Sequence, residues 1–487
     1  MKTNQTIFTF LLLMCSFYLH AQVKHIRWGT NKGPLTDLTI TWRNTGTTDS
    51  IQWGYTSYLE KGKAIGTRRA GYSGNFFNYN FGNVTPSAII YYQLYDSSTK
   101  KWGSLKQFKT APAETMNEFS FAGIGDSRDG MSAWTKVSSQ ANGRYKTDFT
   151  VFNGDIVADA SVSSQWDSWF NAGSAYLENN LVLHALGNHD AKGTSTFLNN
   201  FESPVVNGQS LYYAVTYANA IFITLNSEDA NNTAQFNWLK STLAAASADP
   251  HIQWKIISFH RPFYTVGSHA GEMNNQFSTW WKAFDDNGVD LILNGHDHMY
   301  ERTKPINRNV STSAPVSKYG SGPKEGRCEI VCGGAGAPFY SGTANAFVEK
   351  LVTNKNHFCK LTIRPLPNGG SEMCDSTFDS DGKLIDNFCI SKSGTTGITN
   401  NNLIFNSIAV YPNPVHGELQ FNYHSAIKGK AVIKIIDING REVLSRDVEK
   451  DNNEFEFKCD VSFLSKGIYT IRIAMESQTD NTLFIVQ

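Results

Sequence analysis

Alternating apolar and polar residues dominate the first part of the chain. The pattern is seen in LTITWRN (Leu38–Asn44), SIQWGYT (50–56) and AIIYYQLYD (88–96), and clusters of Gly, Asn and Ser separate these segments. A period of two residues is typical of strands that bury one face. The pattern predicts a small β-sandwich over residues 22–112.

Residues 117–392 have a different pattern, in which short apolar runs alternate with segments of helical period. Two such helical segments are 233–246 and 276–286. Alternation of strands and helices predicts a layered α/β core. A Ser-, Gly-, Thr- and Asn-rich stretch at 393–404 has the composition of a flexible linker, and a β-rich unit follows at 405–487. The predicted fold is therefore a layered α/β core flanked by two small β-sandwiches.

The first residues have the composition of an export signal. Lys2 precedes an apolar stretch at 7–19, and a small residue, Ala21, follows it. This arrangement predicts a signal peptide over residues 1–21 and a secreted or cell-surface protein. No later segment is long and apolar enough to predict a transmembrane helix.

Net charge argues against a nucleic acid as partner. The chain has 43 basic and 43 acidic residues, so it lacks the positive excess that attracts a phosphate backbone.

Six cysteines remain after the predicted signal peptide, at 328, 332, 359, 374, 389 and 459. Disulfides are expected in an exported protein. Cys328 and Cys332 lie on one predicted strand, about 13 Å apart, which is too far for a bond between them. Each is expected to bond one of Cys359, Cys374 and Cys389, and the pairing stays open.

Five apolar runs in the central region end in side chains that can bind metal ions. In chain order these residues are Asp126, Asp155, Asn188, His189, His260, His296 and His298. Sites in open α/β sheets form outside the carboxyl ends of the strands, so five consecutive strands would deliver these side chains to one rim. Glycines at 125, 154, 187 and 295 stand just before four of these ends and allow sharp turns close to an ion.

The residue types indicate metal chemistry. Oxygen and imidazole ligands suit Zn, Fe, Mn and similar ions. Six ligands exceed the needs of one tetrahedral ion and suit two ions about 3.5–4 Å apart that share a carboxylate. Two aspartates against two divalent ions leave a positive surplus that would attract phosphate, and a hydroxide held between the ions would attack the phosphorus.

The order Asp126, Gly154–Asp155, GNHD (187–190), His260 and GHDH (295–298) resembles the calcineurin-like metallophosphoesterases. The purple acid phosphatases are the branch that it resembles most, since they carry an N-terminal fibronectin-like sandwich and a GGAG segment, here at 333–336.

The resemblance implies a role for each residue. Asp155 would bridge two metal ions, Asp126 and His298 would bind the first, and Asn188, His260 and His296 would bind the second. Two further histidines would act on the substrate: His189 would contact the phosphate or assist protonation, and His269 would face the substrate as a general acid.

Two positions depart from the family pattern. The phosphatases have a tyrosine ligand where this chain has Ala158, and other branches have a histidine where it has Arg128. The first ion would thereby lose a ligand. Arg128 could clamp a phosphate oxygen or point away into a surface ion pair, and Tyr300 could replace the missing ligand.

The last unit carries YPNP (411–414), DINGREV (437–443) and LSKGIYTIRI (464–473). These motifs resemble the type A sorting domain of the type IX secretion system, which implies that this machinery is a partner. The alternative is an ordinary carbohydrate-binding or structural β-sandwich.

Together these features predict a secreted, metal-dependent phosphatase that hydrolyses phosphomonoesters. Two alternatives remain: a phosphodiesterase or nucleotidase that uses the same site, and a surface binding protein whose site is degenerate.

Overall fold

The computed structural model describes residues 23–44, 46–69, 71–97, 99–113, 118–308, 316–322, 324–366, 369–392, 407–411, 414–424, 428–437, 440–452, 454–475 and 478–487. The predicted signal peptide (1–21) and linker (393–404) lie outside these residues. Contacts divide the chain into two compact units. The first comprises Met1–Ile363 with Met373–Ile390, and the second comprises Arg364–Glu372 with Ser391–Gln487.

The N-terminal region of the first unit is built from strands. Their bounds are β1 Lys24–Thr30, β2 Leu38–Asn44, β3 Ser50–Gly54, β4 Gly62–Ile65, β5 Thr67–Arg69, β6 Asn75–Asn80, β7 Ile89–Asp96, β8 Lys101–Trp102 and β9 Lys106–Lys109. The alternation along β7 is the one that the sequence predicts, with every second residue buried. Aromatic rings fill the space between the sheets, where Trp28 stacks on Phe108 with ring centroids 3.9 Å apart.

The central region alternates strands with helices. The strands are β10 Phe119–Ile124, β11 Phe149–Phe152, β12 Leu181–His184, β13 Tyr213–Tyr217, β14 Ala220–Thr224, β15 Trp254–Ser258, β16 Leu291–Asn294, β17 Tyr300–Thr303, β18 Cys328–Cys332, β19 Val348–Val352, β20 His357–Pro365, β21 Ser371–Asp379 and β22 Leu384–Lys392. The helices are α1 Met131–Asn142, α2 Ser163–Ala172, α3 Ser174–Leu177, α4 Thr194–Asn200, α5 Thr233–Ala248 and α6 Lys282–Asp286.

The two predicted helical segments are helical in the structure. α5 begins at the first predicted residue, where the Asn232 side chain accepts the backbone N–H of Gln235 and caps the helix. The second segment consists of a π-helical turn, Phe277–Trp281, that continues into α6. These helices, together with the two large sheets of the same unit, confirm the predicted layered α/β class.

Two sheets form the centre of the first unit. One has the strand order β22-β21-β20-β10-β11-β12-β1-β2-β6-β5, and the other has the order β13-β14-β15-β16-β18-β17-β19. They pack face to face through apolar and aromatic side chains, such as Phe121 against Phe222 with ring centroids 4.9 Å apart. The five strands that end in candidate ligands are therefore divided, with β10, β11 and β12 in one sheet and β15 and β16 in the other. The sequence-based picture of five consecutive strands at one rim is wrong in this respect, because the pattern does not reveal which strands pair.

The N-terminal strands continue the first sheet. β1 runs parallel to β12, with Trp28 opposite Leu181. The N-terminal sandwich thus shares a sheet with the α/β core, and both lie in the same compact unit. Pairing with β1 covers the backbone edge of β12, which would otherwise be open.

Cysteine pairing differs from the expectation. Cys374 and Cys389, on β21 and β22, form a disulfide with each other. Cys328, Cys332 and Cys359 are buried free thiols. The expectation that Cys328 and Cys332 each bond one of the later cysteines is therefore wrong. The pairing could not be predicted because a disulfide needs two cysteines that are close in space, and the sequence does not show that β21 and β22 are neighbouring strands.

The second unit contains the C-terminal strands β23 Ser407–Tyr411, β24 Glu418–His424, β25 Gly429–Asp437, β26 Glu442–Lys450, β27 Glu454–Asp460, β28 Gly467–Met475 and β29 Gln478–Val486. They form two sheets with the orders β23-β24-β27 and β26-β25-β28-β29. Buried apolar side chains such as Phe421, Ile433 and Ile471 fill its own core.

Candidate metal centre

The loops that follow β10, β11, β12, β15 and β16 carry the predicted metal-binding residues and meet at one end of the two packed sheets. His260 lies in the middle of one group. Its Nε2 is 3.0 Å from Asn188 Oδ1, 3.3 Å from Asp155 Oδ1 and 3.1 Å from His296 Nδ1. These four residues, the His260 group, come from four separate loops, and the structure brings them together.

The facing atoms of the His260 group all carry lone pairs. His260 Nδ1 lies 2.8 Å from the carbonyl oxygen of Asn153, which can only accept, so the hydrogen is on Nδ1 and Nε2 is bare. The carboxylate of Glu272 lies 3.0 Å from His296 Nε2 and can accept a hydrogen from it, in the tautomer that leaves Nδ1 bare for a metal ion. Arg261 is also near this nitrogen, at 3.2 Å, and is itself ion-paired with Glu272.

Acceptor atoms that face one another at these distances repel unless a cation lies among them. Two imidazole nitrogens, an amide oxygen and a carboxylate oxygen suit a divalent transition metal. The outer nitrogens are held by a carbonyl and a carboxylate, the usual partners of metal-binding histidines. The His260 group therefore fits one metal ion.

The second set, here called the His298 group, consists of Asp126, Asp155 and His298. His298 Nε2 lies 3.5 Å from Asp126 Oδ1, and its Nδ1 donates to the carbonyl oxygen of Pro338 at 2.6 Å. Asp126 also accepts the backbone N–H of His296 at 3.0 Å. The structure thus brings these predicted residues together as well.

The guanidinium of Arg128 lies within the His298 group. Its Nε is 3.3 Å from Asp155 Oδ2, and its Nη2 is 3.3 Å from His298 Nε2. Its Nη1 pairs with Asp129 at 2.6 Å. Only 12% of the Arg128 side chain is exposed, so the residue does not simply point away into a surface pair.

Three predicted ligands have a strained backbone. Asp126, Asp155 and His296 have φ angles of +58°, +52° and +71°, in the left-handed region that non-glycine residues rarely adopt. Such residues each cost about 1–3 kcal/mol and cluster at functional sites. Gly154, at φ +89°, is required by packing as well, because a Cβ there would lie 2.7 Å from His260 Nδ1.

Burial shifts the ionisation of the centre toward neutral groups. It raises the pKa of Asp126 well above its ordinary value, and the charge of Asp155 adds to this. Burial also lowers the pKa of His298 to about 4 and that of His296 further. The imidazoles of His296 and His298 are therefore neutral near pH 7, the form that binds metal ions.

His189 lies beside Asp155. Its backbone N–H donates to Asp155 Oδ1 at 2.9 Å, and its Nδ1 is 2.8 Å from the carbonyl oxygen of Ala158. Lys192 Nζ approaches the same Nδ1 and the same carbonyl, at 3.0 and 3.1 Å. The Nε2 of His189 lies 3.9 Å from Asp155 Oδ2, and its side chain is 22% exposed, so it reaches the rim from the Asp155 side.

His269 lies on the opposite side, against the His260 group. Its ring centroid is 3.8 Å from that of His296, and its Nδ1 is 2.8 Å from Asp297 Oδ1. Asp297 is fully buried and also accepts from Thr265 Oγ1 at 2.6 Å. The structure therefore places His269 at the site, with a quarter of its side chain exposed.

Sequence reasoning missed three contributors: Glu272, Asp297 and Tyr340. Asp297 stands between two histidines in GHDH, a signal that could have singled it out. Tyr340 stacks on His298 with ring centroids 4.1 Å apart. Glu272 and Tyr340 lie in loops where the sequence has no periodicity to mark them.

The possibility that Tyr300 replaces the missing tyrosine ligand is wrong. Tyr300 is completely buried, and its hydroxyl donates to Asp386 Oδ2 at 2.8 Å. The side chain of Ala158 has no donor atom, so neither residue completes the His298 group.

Known families match two parts of the chain. The calcineurin-like phosphoesterase family matches residues 119–300, and the secretion system C-terminal sorting domain matches residues 409–487. Among the helices of the described residues, none has the length and hydropathy needed to cross a bilayer.

Several similar proteins are plant phosphatases. Purple acid phosphatase 18 of Arabidopsis thaliana is 24% identical over 269 residues, which cover 52% of this chain and 59% of the relative. Fe(3+)-Zn(2+) purple acid phosphatase 12 of the same plant is 24% identical over 265 residues, 47% of this chain and 54% of the relative. The match thus spans little more than half of the length of either relative.

A solved structure shares the fold. The purple acid phosphatase from yellow lupin (Lupinus luteus) seeds superposes with a TM-score of 0.63 and 19% identity, covering 77% of this chain and 75% of the other. At this identity the likeness concerns the fold alone.

Proposed function

We propose that this chain, which carries a calcineurin-like phosphoesterase domain and a C-terminal sorting domain, hydrolyses phosphate monoesters with the help of a metal ion held by the His260 group. The observation that carries the proposal is the convergence of three potential ligand atoms, from Asn188, Asp155 and His296, on His260 Nε2 at 3.0 to 3.3 Å. One relative is named for a ferric–zinc pair, and Zn, Fe and Mn all suit these ligands.

Different residues of the chain would bind the metal ion, hold the phosphate and donate a proton. When bound, a divalent ion would polarise a phosphoryl oxygen and make a bound water more acidic. His189 Nε2 and Arg128 Nε both approach Asp155 Oδ2, at 3.9 and 3.3 Å, and from there the two side chains would donate to phosphate oxygens. His269, oriented by Asp297, is positioned to give a proton to the leaving oxygen.

The sorting domain makes this a secreted or cell-surface protein, as the sequence predicts. The partner that we propose for export is the type IX secretion machinery. We also propose that the mature protein ends near the 393–404 linker, because its composition is typical of the connecting segments in which cleavage concentrates.

The test is an assay of the purified full chain after chelation and after return of Zn²⁺, Mn²⁺ or Fe²⁺. 4-Nitrophenyl phosphate represents monoesters, and bis(4-nitrophenyl) phosphate represents diesters. We expect metal-dependent hydrolysis of the monoester, with His260→Ala inactive. His251→Ala is the matched control, since His251 is an exposed histidine paired with Asp249.

Each other outcome has a clear meaning. Faster hydrolysis of the diester would replace the proposal with the phosphodiesterase alternative. Metal binding without hydrolysis of either ester would favour a binding protein with a degenerate site.

A further inference from the structure

We infer that Arg128 is a built-in cation that takes the place of one metal ion, so that each chain binds a single ion, in the His260 group, and presents the Arg128 guanidinium to the phosphate. The role toward phosphate rests on the proposed function, whereas the number of ions does not.

The first step of the argument concerns His298 Nε2. The Nδ1 of this histidine donates to the Pro338 carbonyl oxygen at 2.6 Å, so Nε2 has the only free lone pair of the ring. Arg128 Nη2 lies 3.3 Å from that nitrogen and always carries hydrogens. One lone pair cannot accept this hydrogen bond and bind a metal ion at the same time.

The second step concerns the shared carboxylate. Asp155 Oδ1 faces His260 and accepts the His189 backbone N–H at 2.9 Å. Oδ2, which would serve an ion in the His298 group, faces Arg128 Nε at 3.3 Å. The guanidinium therefore contacts the inner atoms of two of the three residues in this group.

The third step concerns the ligands that remain. An ion at the His298 group would keep only Asp126 once Arg128 engages His298 and Asp155. Asp126 already accepts the backbone N–H of His296 at 3.0 Å, and position 158 supplies only a methyl side chain. One carboxyl group is a poor site for a transition metal.

Arg128 is held in this position by the surrounding chain. Its backbone N–H donates to the Asp155 carbonyl oxygen at 3.4 Å, and Nη1 pairs with Asp129 at 2.6 Å. With the contacts of Nε to Asp155 and of Nη2 to His298, three of its five side-chain N–H groups are used within the described residues, which leaves one on Nη1 and one on Nη2. A fork of two N–H groups matches two oxygens of a phosphate, and it remains charged without any metal.

The experiment counts metal ions. Wild-type full chain, Arg128→His and Arg128→Ala are stripped with a chelator, dialysed against Zn²⁺ or Mn²⁺, and measured by elemental mass spectrometry. We expect about one ion per chain in the wild type and about two in Arg128→His, where an imidazole replaces the guanidinium with a ligand. Arg128→Ala should bind a second ion more weakly, since it clears the space but adds no ligand.

Arg144→His is the matched control. Arg144 is exposed, so this variant adds a histidine to the surface and should still bind about one ion. Thermal unfolding of every variant checks that the fold is retained.

Two tightly bound ions in the wild type would overturn the inference. One ion in both folded Arg128 variants would also overturn it, because the guanidinium would then not be what excludes the second. The proposed function fails separately: a wild type with one ion that hydrolyses no phosphate ester contradicts the function alone, and an active wild type with two ions contradicts this inference alone.

Discussion

In both halves of the centre, the His260 group and the His298 group, acceptor atoms lie close together and need a positive charge among them, but the source of that charge differs. The His260 group turns four lone-pair atoms toward one another, and both of its imidazoles are anchored through their outer nitrogens. The His298 group has an imidazole anchored in the same manner by Pro338, but its inner nitrogen faces a guanidinium. The first half needs a cation from solution, whereas the second carries one in its own sequence.

If the guanidinium takes the place of one ion, a ligand count is not a count of ions. Six potential ligands suggest two ions when only residue types are considered. The position of a single side chain, Arg128, alters that conclusion because a metal ion and an N–H group compete for the same lone pair.

Asp155 joins the two halves, so its loss should have the largest effect. Asp155→Ala should abolish hydrolysis, by about 10³-fold or more, because it removes a metal ligand and the partner of Arg128 together. Asp381→Ala, at a site 72% exposed, is the control. Steady-state kinetics at saturating metal measure the effect, and activity within tenfold of wild type would remove Asp155 from the centre.

Paired alanine variants test the asymmetry of the halves directly. His260→Ala should lose the bound ion, and with it about 10³-fold in kcat. His298→Ala should keep about one ion per chain, because its nitrogen faces Arg128. Metal content after dialysis gives the comparison, and equal loss of metal from both variants would show that the halves are alike.

His189 belongs to neither group, and removing it should leave both intact. His189→Ala should lower kcat by about 10²–10⁴, the range for general acid–base assistance, while the metal content stays at the wild-type level. If this variant loses its ion, His189 is a ligand and the division of the centre must be redrawn.

One buried acid, Glu329, contacts the loop that leads to His269 and should make the stability of the fold depend on pH. Burial raises the pKa of Glu329 to about 8, although its carboxylate accepts the backbone N–H groups of Phe263 and Tyr264. The folded pKa lies above the ordinary value of 4.5, so this stability is present in full below about pH 4.5. It is lost as the pH rises through about 8.

We therefore expect the melting temperature to fall by a few degrees between about pH 6 and pH 9, since one pKa unit corresponds to about 1.4 kcal/mol. Glu329→Gln should show a shallower fall, and Glu349→Gln, at an exposed position of β19, should follow the wild type. Equal slopes in all three proteins would mean that Glu329 is not the titrating group.

Much of the candidate centre could be predicted from the sequence because strand ends carry a local signal. Asp126, Asp155 and His260 each follow a short apolar run, and the structure places all three within reach of one another, with ligand atoms within 4.8 Å. Both family resemblances are also confirmed by the matches over 119–300 and 409–487. The assignment of residues to particular ions stays a prediction.

The remainder depends on which elements become neighbours, and local patterns do not contain that information. The division of the ligand-bearing strands between two sheets and the bond between Cys374 and Cys389 are both products of strand pairing. The direction of the Arg128 side chain is likewise set by Asp155 and His298, which are distant in sequence. The type of each element could be predicted, but its partners could not.

The pairing of β1 with β12 has a consequence for the order in which the protein assembles. β1 is made before β10 and β11, but the strand on which it docks, β12, is made only after them. Until then the edge of β1 that faces away from β2 has no sheet edge in the α/β core to join, and closing so long a loop is slow. A chain shortened to begin at residue 117 would expose the β12 edge permanently and invite intermolecular strand addition. The N-terminal strands therefore protect an edge of the α/β core sheet that forms late, and they are unsuited to removal as an independent module.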